Sequence, residues 1–122
     1  MSEQSLDDTG HVGSIIFADE TARNQLLDEG DVVTFRTSRR TTGKTWWRQS
    51  RTGPKCGDVV VEEIGTCDPQ NLDELEPFGP LSGFPSARDW QFAISVLNDG
   101  LETGYLYRVR TVQPGNEQEG ER

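Results

Sequence analysis

Residues 19–36 read DETARNQLLDEGDVVTFR, and this stretch decides the class of fold. Asp19 is a typical N-cap residue and Gly30 a typical C-terminal stop, so the stretch predicts a helix over residues 20–29. The β-branched residues that follow predict a strand over Val32–Arg36. A helix that runs directly into a strand indicates a domain that mixes both element types.

Further elements are predicted on both sides of this stretch. Short apolar or alternating runs predict strands over Gly13–Phe17, Val59–Ile64 and Tyr105–Val112. Ser86, with an acid three residues later, caps a second helix that ends near Asn98. The 3.6-residue spacing of apolar side chains predicts the inward faces of the two helices. The residues on those faces are Ala22, Leu26, Leu27, Trp90, Ala93, Ile94 and Leu97.

The order β-α-β-β-α-β predicts an α+β fold: a small β-barrel of mixed, mostly antiparallel strands with two main helices. Two segments carry strong turn or loop signals, so we expect long irregular connections over residues 37–54 and 71–84. The folded domain is predicted to span residues 12–112. Polar, acidic tails over residues 1–11 and 113–122 are predicted to be disordered.

The composition bears on the size of the protein and on its cellular environment. The 122 residues suffice for one domain, and their net charge is −9, with ten Arg but only two Lys. An acidic surface depleted of Lys favours a salt-adapted, haloarchaeal protein over an ordinary acidic bacterial one. There is no signal peptide and no apolar run long enough for a bilayer, so we expect a cytoplasmic monomer with no membrane partner.

The sequence contains few features that are typical of catalytic or metal-binding sites. Cys56 and Cys67 are predicted to be reduced thiols, and with His11 as the single histidine they cannot form a zinc site of Cys and His ligands. The chain has no phosphate-binding loop, no dinucleotide-binding glycine motif and no nucleophile elbow. We therefore predict no metal, no cofactor and no catalytic residue, with Glu62 and Glu63 as the only candidate acid–base pair.

The strongest functional signal is the distribution of charge. Between Val32 and Gly57 there is no Asp or Glu, and this basic segment carries +7 while the rest of the chain carries −16. Arg clamps phosphates and Trp offers a face for stacked bases, so the segment predicts a nucleic-acid-binding surface. The predicted binding residues are Arg36, Arg39, Arg40, Lys44, Trp46, Trp47, Arg48, Arg51 and Lys55. The alternative is a flexible loop whose cations pair with acids elsewhere, with one Trp in the core.

Four short motifs resemble, in order and spacing, the ASCH domain family of the PUA-like superfold. They are Gly30-Asp31-Val32-Val33-Thr34-Phe35-Arg36, Lys55-Cys56-Gly57-Asp58-Val59-Val60, Ser82-Gly83-Phe84 followed by Asp89-Trp90, and Gly104-Tyr105-Leu106-Tyr107-Arg108-Val109. The resemblance covers residues 13–112. It implies a small β-barrel with a cleft beside the Thr-x-Arg strand and a role in RNA binding or RNA metabolism, and it suggests Thr34, Arg36 and Tyr105 as cleft residues.

Some members of that family are hydrolases of acetylated cytidine or nucleases, in which a Lys shortly before the Thr helps to make the nucleophile. Asp31 stands at that place here, and an acid cannot activate Thr34 as an amine does. The leading hypothesis is therefore a non-catalytic module for RNA or another single-stranded nucleic acid. The alternatives are a hydrolase of a modified nucleoside or RNA, with Thr34 as nucleophile, and an adaptor whose basic segment docks on an acidic protein.

Overall fold

The computed structural model describes residues 12–112, so both predicted tails and His11 lie outside the described residues. The described part contains five strands, three α-helices and one 3₁₀ helix. In chain order they are β1 (Ile15–Ile16), α1 (Glu20–Glu29), β2 (Asp31–Arg36), β3 (Gly43–Arg48), β4 (Gly57–Cys67), α2 (Leu72–Leu75), the 3₁₀ helix (Glu76–Leu81), α3 (Ala87–Asn98) and β5 (Gly104–Thr111).

The five strands form one sheet in the order β1-β3-β4-β5-β2. The β1–β3 pair is parallel and the other pairs are antiparallel, and the sheet curls into a half-barrel. The prediction of a mixed, mostly antiparallel and barrel-like α+β fold is confirmed at this level. Because β1 and β2 are the two ends of the sheet, the half-barrel has an open seam between them.

The caps of both predicted helices are confirmed. The Asp19 carboxylate accepts a hydrogen bond from the Ala22 N–H at 3.2 Å, and Gly30 ends α1 with a left-handed φ of 72°. Ser86 caps α3 by accepting from the Asp89 N–H at 3.1 Å. These local signals place both helix starts correctly because capping depends only on residues within one turn.

Two predicted irregular connections are wrong in part. Residues 37–54 contain β3, whose Thr and Trp residues favour a pleated surface and whose Trp47 side chain turns into the core. Residues 71–84 contain α2, capped by Asn71, and the 3₁₀ helix that follows it. The fold therefore has three α-helices and not two.

Two predicted inward positions are also wrong. Leu27 is 58% exposed and Leu97 is 61% exposed. Leu26 is fully buried and takes the inward position of α1, so the next residue, 100° further round, falls outside the contact face. Leu97 lies at the end of α3 that borders the open seam, where no strand covers it.

Two core clusters lie on opposite faces of the sheet. The concave face is filled by one cluster that includes Phe17, Leu26, Trp47 and Tyr107. Side chains of the opposite parity, such as Phe35 and Leu106, pack under the helices with Trp90. Within the described residues no helix has the length and apolarity to span a bilayer. Cys56 and Cys67 are unpaired thiols as predicted, although only Cys67 is buried.

We expect Gly104→Ala to destabilise the domain by roughly 1–3 kcal/mol, the usual range for overpacking. A Cβ at this position would lie 2.4 Å from the Arg36 carbonyl oxygen and 2.5 Å from the Phe35 ring, forcing β2 away from β5. Gly13→Ala is the matched control, because its Cβ meets nothing closer than 3.9 Å. Urea unfolding of the three proteins tests this, and equal midpoints for Gly104→Ala and Gly13→Ala would contradict the β2–β5 packing.

Candidate functional site

A cleft with a volume of about 450 Å³ opens at the seam of the half-barrel. One wall is the chain leading from β1 into α1, residues 16–19. The second is α3, which contributes Trp90, Ile94 and Asn98, and the third is β2 with the residues that follow it. Volume and mixed lining fall within the range of ordinary small-molecule sites.

The cleft runs along the edge of β2 and not over one face of the sheet. All six residues from 33 to 38 line it, although neighbours on a strand point to opposite faces. Strand β2 is paired only with β5, so its other edge is free within the sheet. The cleft therefore borders the free edge of β2, between the side chains of the two faces of the strand.

Two arginines of the basic segment bridge the seam, where β1 and β2 are not neighbours in the sheet. Arg36 donates through Nη2 to the Ile16 carbonyl at 2.9 Å, and its Cζ lies 5.2 Å from the Phe17 ring centroid. Arg40 donates to the carbonyls of Gly13 and Ser14. Both guanidinium groups line the cleft, so its floor is positively charged.

Arg36 carries its charge in an unfavourable environment. Burial, and then the charge of Arg40, lower the pKa of Arg36 to about 10, so the group remains protonated at neutral pH. Its Nε atom is buried and has no hydrogen-bond partner among the described residues. A buried donor without an acceptor costs free energy, about 1–3 kcal/mol, which a ligand acceptor would offset.

Thr34 lines the cleft beside Arg36 and is 9% exposed. Tyr105 does not line it. Tyr105 pairs with Arg36 across β2 and β5, and its ring lies under the Arg39 guanidinium at 5.2 Å. One carboxylate, that of Asp19, borders the cleft, and it is engaged as the cap of α1.

The remaining cations of the basic segment divide into two groups. Arg39 forms an ion pair with Glu63 at 3.1 Å, and Lys55 forms one with Asp58 at 2.8 Å. Lys44 and Arg51 are exposed and take part in none of the ion pairs among the described residues. These two side chains are thus available to an anionic partner.

The two tryptophans have different environments. Trp47 is 3% exposed and meets the Phe17 ring edge-on at a centroid distance of 6.1 Å, so it is the core member of the pair. Trp46 is half-buried on the opposite side of β3, with the Arg48 guanidinium 5.2 Å from its ring. Lys44 shares that side of the strand by alternation. The convex side of β3 therefore presents an aromatic ring with two cations.

The residues of the hydrolase alternative lie apart from Thr34. Glu62 pairs with Arg110 at 2.9 Å and Glu63 pairs with Arg39, and neither lines the cleft. Asp31 is held by two hydrogen bonds from Arg108, which raise the pKa of that arginine. Among the described residues there is also no group of three or more His, Cys, Asp or Glu side chains that could hold a metal.

Sequence reasoning missed the helical wall of the cleft and the part that Arg40 plays in closing the seam. Phe84, Trp90 and Asn98 come from segments far from the basic segment, and no local signal connects them to it. The chain matches no protein-family model, no curated protein and no solved structure.

Proposed function

We propose that the protein binds single-stranded nucleic acid, with RNA preferred, and that a nucleobase enters the cleft at the seam. The observation that carries this proposal is the half-buried, protonated Arg36, whose buried Nε donor has no hydrogen-bond partner among the described residues, beside a largely apolar cavity. A buried charged donor without a hydrogen-bond acceptor costs free energy, so proteins rarely keep one. A ligand that supplies an acceptor to Arg36 would offset that cost.

The shape and lining of the cleft suit a base. Its volume of about 450 Å³ admits one planar ring system with part of its sugar. The walls from Phe17 and α3 supply apolar contact, and Thr34 and Arg36 supply polar groups. RNA is commonly recognised in this way, by splaying a base out of the strand and stacking and hydrogen-bonding it.

The phosphates would follow the basic segment away from the cleft. Among the basic-segment cations that do not line the cleft, Lys44, Arg48 and Arg51 have no carboxylate partner in the described part of the chain, and Trp46 adds a face for a second base. The rest of the chain is acidic, with a charge of −16, so the polyanion is steered to this side.

This proposal includes an ASCH-like, PUA-like identity for the half-barrel, with the cleft beside Thr34 and Arg36 as that resemblance implies. It also includes a cytoplasmic, salt-adapted setting. High salt weakens phosphate contacts, so stacking on Trp46 and hydrogen bonds in the cleft would carry more of the affinity there than Lys44 and Arg51 do.

We test the phosphate contacts with Lys44→Gln and Arg51→Gln. Each change should lower the salt slope of RNA binding by about 0.7, because each removes one phosphate contact to a single strand. Arg88→Gln, an exposed arginine of α3 outside the basic segment, is the control and should leave the slope unchanged. Fluorescence anisotropy of a labelled oligonucleotide across a salt series measures it. Equal slopes for all three variants would contradict this phosphate path.

A further inference from the structure

We propose that the cleft recognises the pairing edge of a nucleobase through the main chain of β2, by way of the N–H and C=O groups of Phe35. This inference rests on the proposed function and specifies its ligand: a base whose Watson–Crick edge is unsubstituted. It follows from the register of the sheet.

The register shows which main-chain groups of β2 face the cleft. In an antiparallel pair, alternate residues direct both their N–H and C=O groups at the partner strand, and the residues between them direct both away. Thr111 N–H donates to the Gly30 carbonyl at 3.0 Å, which makes that pair a hydrogen-bonded one. In the same register the main-chain N–H and C=O groups of Val32, Thr34 and Arg36 point towards β5. Those of Asp31, Val33 and Phe35 point away from it.

One side-chain contact supports this assignment. Gln25 of α1 donates through Nε2 to the Asp31 carbonyl at 3.0 Å, as an outward-facing carbonyl requires. That contact occupies the first outward position. Val33 is only 1% exposed, which closes its main chain to a ligand, so Phe35, which is 8% exposed, is the outward residue that remains. Phe35 lines the cleft, and no hydrogen bond from another described element reaches its main chain.

The free edge is short. Gln25 covers Asp31 at one end, and the Arg36 guanidinium bridges to Ile16 at the other. One outward residue provides a single N–H donor and a single C=O acceptor, which is too little for an added peptide strand but matches the donor and acceptor edge of one base. The protonated Arg36 beside them also favours a nucleotide over a neutral peptide.

Amide hydrogen exchange with ¹⁵N-labelled protein tests the inference. In the free protein the amides of Val32, Thr34 and Arg36 should exchange slowly and that of Phe35 faster. The four ribonucleoside 5′-monophosphates are then added singly. The tightest-binding one should slow the exchange of the Phe35 amide by at least tenfold, and its counterpart methylated on the pairing-edge nitrogen should bind at least tenfold more weakly.

The outcomes separate this inference from the function on which it rests. If nucleotides bind but the Phe35 amide is unaffected and the methylated form binds equally well, main-chain recognition is overturned and nucleic-acid binding stands. If neither nucleotides nor single-stranded RNA bind, the proposed function fails and the inference fails with it. Protection of the Phe35 amide by an unstructured peptide, with none from nucleotides, would overturn both in favour of strand addition.

Discussion

The variant Arg36→Met is expected to lose binding of single-stranded RNA by at least tenfold while remaining as stable as the wild type or more so. The two effects share one cause. Arg36 is kept charged in a half-buried position, and its buried Nε donor has no partner among the described residues, so the folded protein bears a desolvation cost that methionine removes. The hydrogen bond to Ile16 and the contact with Phe17 are lost in exchange.

The binding loss follows from the same position. Removing a buried charged donor from a hydrogen bond to a ligand typically costs about 2–5 kcal/mol, and every 1.4 kcal/mol is roughly tenfold in affinity. Arg88→Met is the control, since this exposed arginine lies outside the cleft. Oligonucleotide titrations and urea unfolding are compared for the three proteins. A variant that unfolds more easily but binds RNA normally would assign Arg36 a purely structural role in the seam.

The pH dependence of the free energy of unfolding gives a second test of the charge on Arg36. Burial lowers the folded-state pKa of Arg36 to about 10, below its ordinary value, so above about pH 10 the unfolded chain binds more protons than the folded protein. The free energy of unfolding should therefore rise as the pH rises through 10 and the folded protein loses the Arg36 proton. Below pH 10 the desolvation penalty of the charged group is fully present. Arg36→Met should lack that contribution, so the stability difference between variant and wild type should shrink above pH 10.

Trp47→Ala and Trp46→Ala are expected to separate stability from binding. Trp47 is buried against Phe17, and emptying such a site costs about 3–5 kcal/mol, enough to unfold much of a small domain. Trp46 is half-buried under Arg48, so its loss should change stability far less. Its loss should weaken RNA binding by about 1–3 kcal/mol, the usual contribution of one stacked base.

Circular dichroism melts and tryptophan quenching by RNA measure the two effects. Trp46→Ala should melt near the wild type and lose the part of the quenching that comes from Trp46, whereas Trp90 in the wall of the cleft should still be quenched. Trp47→Phe, which keeps an aromatic ring in the core, checks that a folded protein without Trp47 still binds. If Trp46→Ala is quenched by RNA like the wild type, the convex side of β3 is not part of the interface.

Local signals in the sequence predict the elements of this fold well. The caps at Asp19, Gly30 and Ser86 act within one helical turn, and they place α1 and α3 correctly. Strand β3 was missed because its turn-rich surroundings and its charges resemble a loop. What makes it a strand is tertiary: Trp47 completes the concave core, and β4 supplies its ladder.

The sequence predicts only one wall of the cleft. Thr34 and Arg36 follow from the motif on β2, but the helix opposite them is brought in by packing between Trp90 and the convex face of the sheet. The charge pattern also does not separate the roles of the arginines. Arg40 closes the seam and Arg39 pairs with Glu63, whereas Arg51 is exposed, and only the three-dimensional arrangement distinguishes them.

The most direct test of the proposed function is a titration of labelled single-stranded RNA and DNA of one sequence with the folded protein. It is done at low salt, about 50 mM, where phosphate contacts are strongest. The account predicts saturable binding, tighter for RNA than for DNA, that falls with salt and is lost in Arg36→Met. No binding of either strand by a protein shown by circular dichroism to be folded would contradict it.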